Sequence, residues 1–185
     1  MNISLTRMDP AGSDREALMS FMTANEFPFH MRPRPSASQV ASSIEDGSFD
    51  DEDTTTYWIE HSELGRIGTL ALEDLTDPTP LFDLRLDSKF RGRGLGTGVL
   101  RAATDHVFRT MNVNRFEGQT REDNVAMRAV FLKSGWVKEA HYREGWPVDG
   151  GTPVASVAYA ILRRDWENGT LTPVPWDDFT IDRAP

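Results

Sequence analysis

The chain has 185 residues, 38% of them hydrophobic and 26% charged, with a formal net charge of -9. That length suits one domain with a real core, and the acidic balance excludes a general nucleic-acid binder, which needs a basic face against phosphate. There are no cysteines, which excludes disulfides, thiolate metal sites and a cysteine nucleophile.

The first strand is predicted over Ile3 to Arg7, before the loop Asp9 to Ser13. A helix follows from about Asp14 to Ala24, with Leu18, Phe21 and Met22 at helical spacing. Three prolines make Asn25 to Pro35 a loop that also carries Phe27, Phe29 and His30. Ser36 to Ile44 reads as a second helix capped by Ser36 or Ser38. Glu45 to Asp53 holds six acids in nine residues and reads as a solvated loop, with a cation site as the lesser alternative. Strands are expected at Thr54 to Glu60, Arg66 to Leu72 and Leu81 to Leu86; the last puts Phe82, Leu84 and Leu86 on one face and Asp83 and Arg85 on the other.

A helix from about Gly94 to Met111 shows one apolar stripe, Leu95, Val99, Ala103, Val107 and Met111. Arg115 to Thr120 is a short strand. Asn124 to Ser134 is a helix stopped by Gly135. Val137 to Arg143 and Val154 to Leu162 pair antiparallel around an Asp149-Gly150-Gly151 turn. The domain is expected to span residues 1–166, with a tail at 167–185 packed on it or extending from it.

The chemistry concentrates in Arg91-Gly92-Arg93-Gly94-Leu95-Gly96, between a strand and a helix. Glycine lets backbone N–H groups approach a phosphate, and the helix N-terminus adds partial positive charge. Arg91 and Arg93 add full charges, so the loop reads as a pyrophosphate cradle. It lacks the Gly-Lys-Ser/Thr end of a Walker A loop. The third glycine of a dinucleotide fingerprint is also missing, because Thr97 or Val99 stands at that position.

With Asn124 opening the next helix and Gly135-Trp136 eleven residues later, the sequence resembles the Gcn5-related N-acetyltransferases over roughly residues 1–166. Glu139 to Arg143, with Tyr159 to Trp166 beyond, looks like the branch containing ribosomal-protein N-terminal (RimJ/RimL-type) acetyltransferases. The resemblance implies an α+β fold: a central, mostly antiparallel mixed sheet of about seven strands, splayed in the middle and flanked by about four helices. It implies acetyl-CoA as cosubstrate. Its pyrophosphate would lie on Arg91, Gly92, Arg93, Gly94, Leu95, Gly96 and Thr97. Its pantetheine arm would lie between the strands ending at Leu86 and starting at Phe116, on backbone near Leu84 and Leu86. That backbone would also polarise the thioester. Asn124 would hold the pantetheine or the loop, or simply cap its helix. Phe131 belongs to the same expected set.

The chain departs from the family pattern at its acid and base. Phe131 stands where many members carry a tyrosine, Met127 where others carry a serine, and Pro80 and Leu81 near the usual glutamate. Asp83 and Tyr142 are substitutes by proximity in the expected fold. Phe29 and His30 lie where the acceptor loop is placed. The expected acceptor is an amine, either a peptide N-terminus or a small molecule. Transfer is expected to be direct, since no acetyl-carrying nucleophile is recognisable. A non-catalytic acyl-CoA-binding module is the rival reading. The four histidines show no ligand spacing with carboxylates, so no metal is expected. A cytoplasmic protein is expected, since no signal-peptide or membrane-spanning stretch is seen. A homodimer is compatible with the sequence, which fixes no oligomeric state.

Overall fold

The computed structural model describes residues 2–148 and 150–176. Asp149 of the expected turn and the last nine positions of the expected tail lie outside the described residues.

The elements run β1 (Ile3–Arg7), α1 (Arg15–Ala24), α2 (Ala37–Glu45), β2 (Thr55–His61), β3 (Gly65–Glu73) and β4 (Leu81–Leu86). After one 3-10 turn come α3 (Leu95–Thr110), β5 (Arg115–Arg121), α4 (Val125–Lys133), β6 (Val137–Trp146), β7 (Val154–Leu162) and α5 (Arg163–Asn168). Ser36 caps α2 through a reciprocal box: Gln39 N donates to Ser36 Oγ (3.3 Å), and Ser36 N donates to Gln39 Oε1 (2.9 Å). No helix among the described residues is long and apolar enough to cross a membrane.

The strands form two antiparallel sheets, β1-β2-β3-β4 and β5-β7-β6. Between them β4 and β5 touch near their starts, where Glu117 N donates to the carbonyl of Pro80 at 3.1 Å. Beyond that point β4 pairs only with β3 and β5 only with β7. The expected splay therefore has a visible cause. Phe82 is wedged against Phe116, Phe131 and Trp136, with ring centroids 5.4, 6.1 and 5.8 Å away. Gly118 of β5 makes room for it, since a Cβ there would lie 2.5 Å from Phe82 Cε1.

Strand alternation divides the first sheet into two faces. Ile59, Ile67, Leu70 and Leu72 join Val99, Leu100, Ala103 and Val107 of α3 in the main core. On the other face Trp58 joins Leu18, Met22, Val40 and Ile44 of α1 and α2 in a smaller one. Where Trp58 gives way to Thr69, Ala71, Glu73, Asp83 and Arg85, that second face turns polar.

The chain does not lose structure at residue 166. α5 crosses that point, and Trp166 Nε1 donates to Asp105 Oδ1 of α3 at 2.7 Å. Asp165 then accepts from Thr170 Oγ1 (2.7 Å), Thr172 Oγ1 (2.9 Å) and Thr172 N (3.0 Å), holding the following residues in place. Proline and short polar residues hide this segment from a periodicity reading.

Candidate active site

The fork between the sheets opens onto a groove of about 440 Å³. Leu84, Arg85 and Leu86 of β4 form one wall and Met127 and Val130 of α4 the other. The start of α3 closes one end, and Phe29 and His30 of the α1–α2 loop border the groove as well. Gly92 and Gly94 adopt φ of +71° and +79°, a left-handed backbone that disfavours any side chain. A Cβ on either would meet nothing within 4 Å, so the cradle faces open space. Gly96 has a different task. Its missing Cβ lets α3 approach α4, because a methyl there would sit 2.8 Å from Val130 Cγ2.

Arg91 is folded into this structure. Its Nε donates to the Leu86 carbonyl at 2.8 Å, and its guanidinium lies 5.4 Å from the Phe27 ring centroid. Arg85 lies over the same ring at 4.9 Å. Phe27, only 2% exposed, thus joins the α1–α2 loop, β4 and the glycine loop. A second tie is the 2.8 Å bond from Ser88 N to Asn25 Oδ1. Arg91 Nη2 is buried with no hydrogen-bond partner among the described residues. An unpaired buried donor on a cation is costly, and a phosphate oxygen in the cradle would satisfy it. The residues present therefore fit a pyrophosphate.

Beside the groove stands a charged triplet. His30 Nε2 lies 3.1 Å from Asp83 Oδ1. Arg85 donates Nε to Asp83 Oδ1 (3.1 Å) and Nη2 to Asp83 Oδ2 (2.6 Å). Burial opposes ionisation of Asp83, but the Arg85 charge and the His30 bond outweigh it and hold the carboxyl well below the usual carboxylate range. An ionised Asp83 can only accept, so Nε2 carries a hydrogen, and in the neutral ring the lone pair is on Nδ1. That Nδ1 is buried and has no partner among the described residues. On the far side of Asp83 and Arg85, between the polar sheet face and α2, lies a second cavity of about 180 Å³.

The acetyltransferase (GNAT) domain profile matches residues 3–137. The chain belongs to the GNAT acetyltransferase family. This GNAT protein is an enzyme that moves acetyl from acetyl-CoA to an amine. No curated protein matches the sequence. Among solved structures, the spermidine N-acetyltransferase of Vibrio cholerae in complex with CoA and spermine superposes with a TM-score of 0.75 at 16% identity, covering 90% of this chain and 99% of that one. A chimera of the same SpeG protein and hSSAT gives 0.76 at 17%, covering 91% and 99%. The dodecameric form of the Vibrio enzyme gives 0.72 at 16%, covering 91% and 98%. At these identities the likeness is one of fold.

In this GNAT fold Phe29, His30, Leu84, Leu86, Arg91, Gly92, Gly94, Leu95, Gly96, Thr97 and Asn124 all border the groove. Four expected site residues do not. Asp83 lines the second cavity instead. Arg93 is exposed and leans over Phe90 at 5.9 Å. Phe131 has no exposed surface and stacks on Tyr159 at 4.6 Å, so its place is in the core. Tyr142 is 48% exposed on the edge strand β6 and borders neither cavity. Asn124 caps α4, accepting from Met127 N (3.2 Å) while Nδ2 donates to Thr120 Oγ1 (3.0 Å). Arg85 and Glu73 were not legible as site residues; strand alternation put Arg85 beside Asp83, but nothing local showed that the face was hollow.

Proposed function

We propose that the chain acetylates a small cationic amine, with His30 as the base that takes the amine proton and Asp83 as the residue that orients His30. The observation that carries this is the His30–Asp83 pair beside the groove, with a buried, unpartnered Nδ1. An alkyl amine has a pKa of about 10.4 and arrives charged, so a proton must leave before it attacks.

The amine nitrogen bonds to the thioester carbonyl carbon and the C–S bond breaks. His30 Nδ1 takes the ammonium proton before attack and passes it to bulk water, then takes the second proton that nitrogen loses as the amide forms, and β4 backbone near Leu84 and Leu86 polarises the carbonyl. No tyrosine borders the groove. The departing thiolate takes a proton from water, acceptable for a thiol of pKa about 8.5. With no cysteine in the chain, transfer is direct. Arg91 and the Gly92–Gly96 backbone hold the pyrophosphate.

A small acceptor suits the second cavity, whose volume of about 180 Å³ is covered by α2. The structural relatives named for spermidine point the same way. Kinship with the ribosomal-protein N-terminal branch rests on Glu139 to Arg143 and Tyr159 to Trp166. His141 and Tyr142 of the first segment are exposed and away from the groove. Self-association is part of the reading, supported by the dodecameric relative.

Thiol release from acetyl-CoA with a panel of amines tests the reaction, alongside calorimetry. His30→Gln should slow release about a hundredfold or more while acetyl-CoA affinity stays. Undiminished turnover would remove His30 as the base. Gly94→Glu should weaken acetyl-CoA at least about tenfold beyond Gly94→Ala, which isolates the backbone strain. Equal affinities would remove the loop from the cofactor site.

A further inference from the structure

Beyond Trp58, the face of the first sheet under α2 is not packed like a core. Thr56, Thr69, Glu73, Asp83 and Arg85 line a cavity there, with Ser43 of α2 across from them. Apolar side chains on such a face would close against the helix; polar ones leave a hollow that water or a ligand must fill. Asp83 already has Arg85 and His30. Glu73 has no hydrogen bond or ion pair among the described residues. Arg32, the other cation at the cavity, is exposed at its rim, where water screens it. The interior therefore keeps one unmatched carboxylate.

Glu73 also sits at a defined reach from Asp83, the partner of the base. Ala71 is opposite Asp83 in the β3–β4 register, and Glu73 is two residues further along β3. Two strand residues span about 7 Å. Burial, with the charges of Asp83 and Asp74 and against that of Arg85, pushes the Glu73 carboxyl up to about 7. The carboxylate lacks a cation it is placed to receive.

We infer that this cavity is a subsite for a second ammonium group of the acceptor, and that Glu73 makes the enzyme prefer short diamines over monoamines. This rests on the reading of His30 and Asp83 as the transfer site, because the distance is counted from them. One amine of the acceptor lies at His30 while the other reaches under α2 to Glu73.

Calorimetry at pH 8 with coenzyme A present, which permits no turnover, tests the subsite directly. The probes are cadaverine and n-pentylamine, which share a chain length and differ by one ammonium. The protein should bind cadaverine at least about tenfold tighter, since a charge-assisted bond in a half-buried site exceeds about 1.4 kcal/mol. Glu73→Gln should collapse the ratio towards one, and Glu73→Asp should keep part of it. No preference in the unmodified protein, or an undiminished one in Glu73→Gln, would overturn the inference. A preference lost in Glu73→Gln, with thiol release unaffected by His30→Gln, would leave the subsite standing and reject the base.

Discussion

Arg91 Nε donates a 2.8 Å hydrogen bond to the carbonyl oxygen of Leu86. The motif arginine therefore does more than present charge: it fixes the end of β4 against the glycine loop, where both border the groove. Arg91→Lys keeps the charge but loses this bond and the stack on Phe27. We expect it to lose about tenfold or more in acetyl-CoA affinity, because a hydrogen bond to a charged group contributes about 1.5–3 kcal/mol. Calorimetry on Arg91→Lys and Arg91→Ala checks this. Full affinity in the lysine variant would show that charge alone suffices.

Asn124 spends both ends of its amide on structure, one on Met127 N and one on Thr120 Oγ1. Asn124→Ala should cost about 1–2 kcal/mol of stability and weaken acetyl-CoA by letting the Met127 wall shift. Asn124→Ser, which keeps a cap acceptor, should recover most of the stability. Chemical denaturation of the three proteins measures this, and equal losses in both variants would deny the cap.

Gly118 is a packing glycine. A methyl there meets Phe82 Cε1 at 2.5 Å and Phe131 Cζ at 2.8 Å, the first on a partly buried ring and the second on a fully buried one. Gly118→Ala should destabilise by about 1–3 kcal/mol, as overpacking does. Phe82→Leu in the same chain should recover part of that loss. Additive losses in the double variant would show that Phe82 does not wedge the fork against β5.

Glu73 makes stability depend on pH. Its carboxyl rises from an ordinary 4.5 to about 7 in the folded chain, from burial first and then from Asp83 and Asp74, with Arg85 opposing. The folded state thus holds a proton that the unfolded state gives up. This favours folding below about pH 4.5 and is lost as pH rises through about 7. Glu73→Gln should therefore gain stability relative to the unmodified protein between those values, by at most about 3 kcal/mol and less where solvent reaches the carboxyl. Thermal unfolding at pH 4.5 and pH 8 reads the difference. An equal shift at both would place Glu73 in water.

The sequence by itself determined whatever repeats within a few residues. β4 runs over Leu81–Leu86 as alternation predicts, because side chains on an extended backbone take opposite faces in turn, and β7 keeps its expected bounds, Val154–Leu162. α3 follows its apolar stripe, and the Arg91 to Gly96 cradle is local chemistry at a helix start. Only the tertiary structure decided the rest. His30 and Asp83 are 53 positions apart, and a loop shaped by prolines had to fold back over β4 before the two could meet. Phe27 lies between Arg85 and Arg91 for the same reason. α4 is apolar around most of its surface, so its pattern could not say that Phe131 enters the core while Met127 and Val130 line the groove. Tyr142 reads as a candidate acid until β6 places it on an open edge. The hollow beside Glu73 is legible nowhere along the chain, because it depends on how far α2 stands from three paired strands, a distance set by packing.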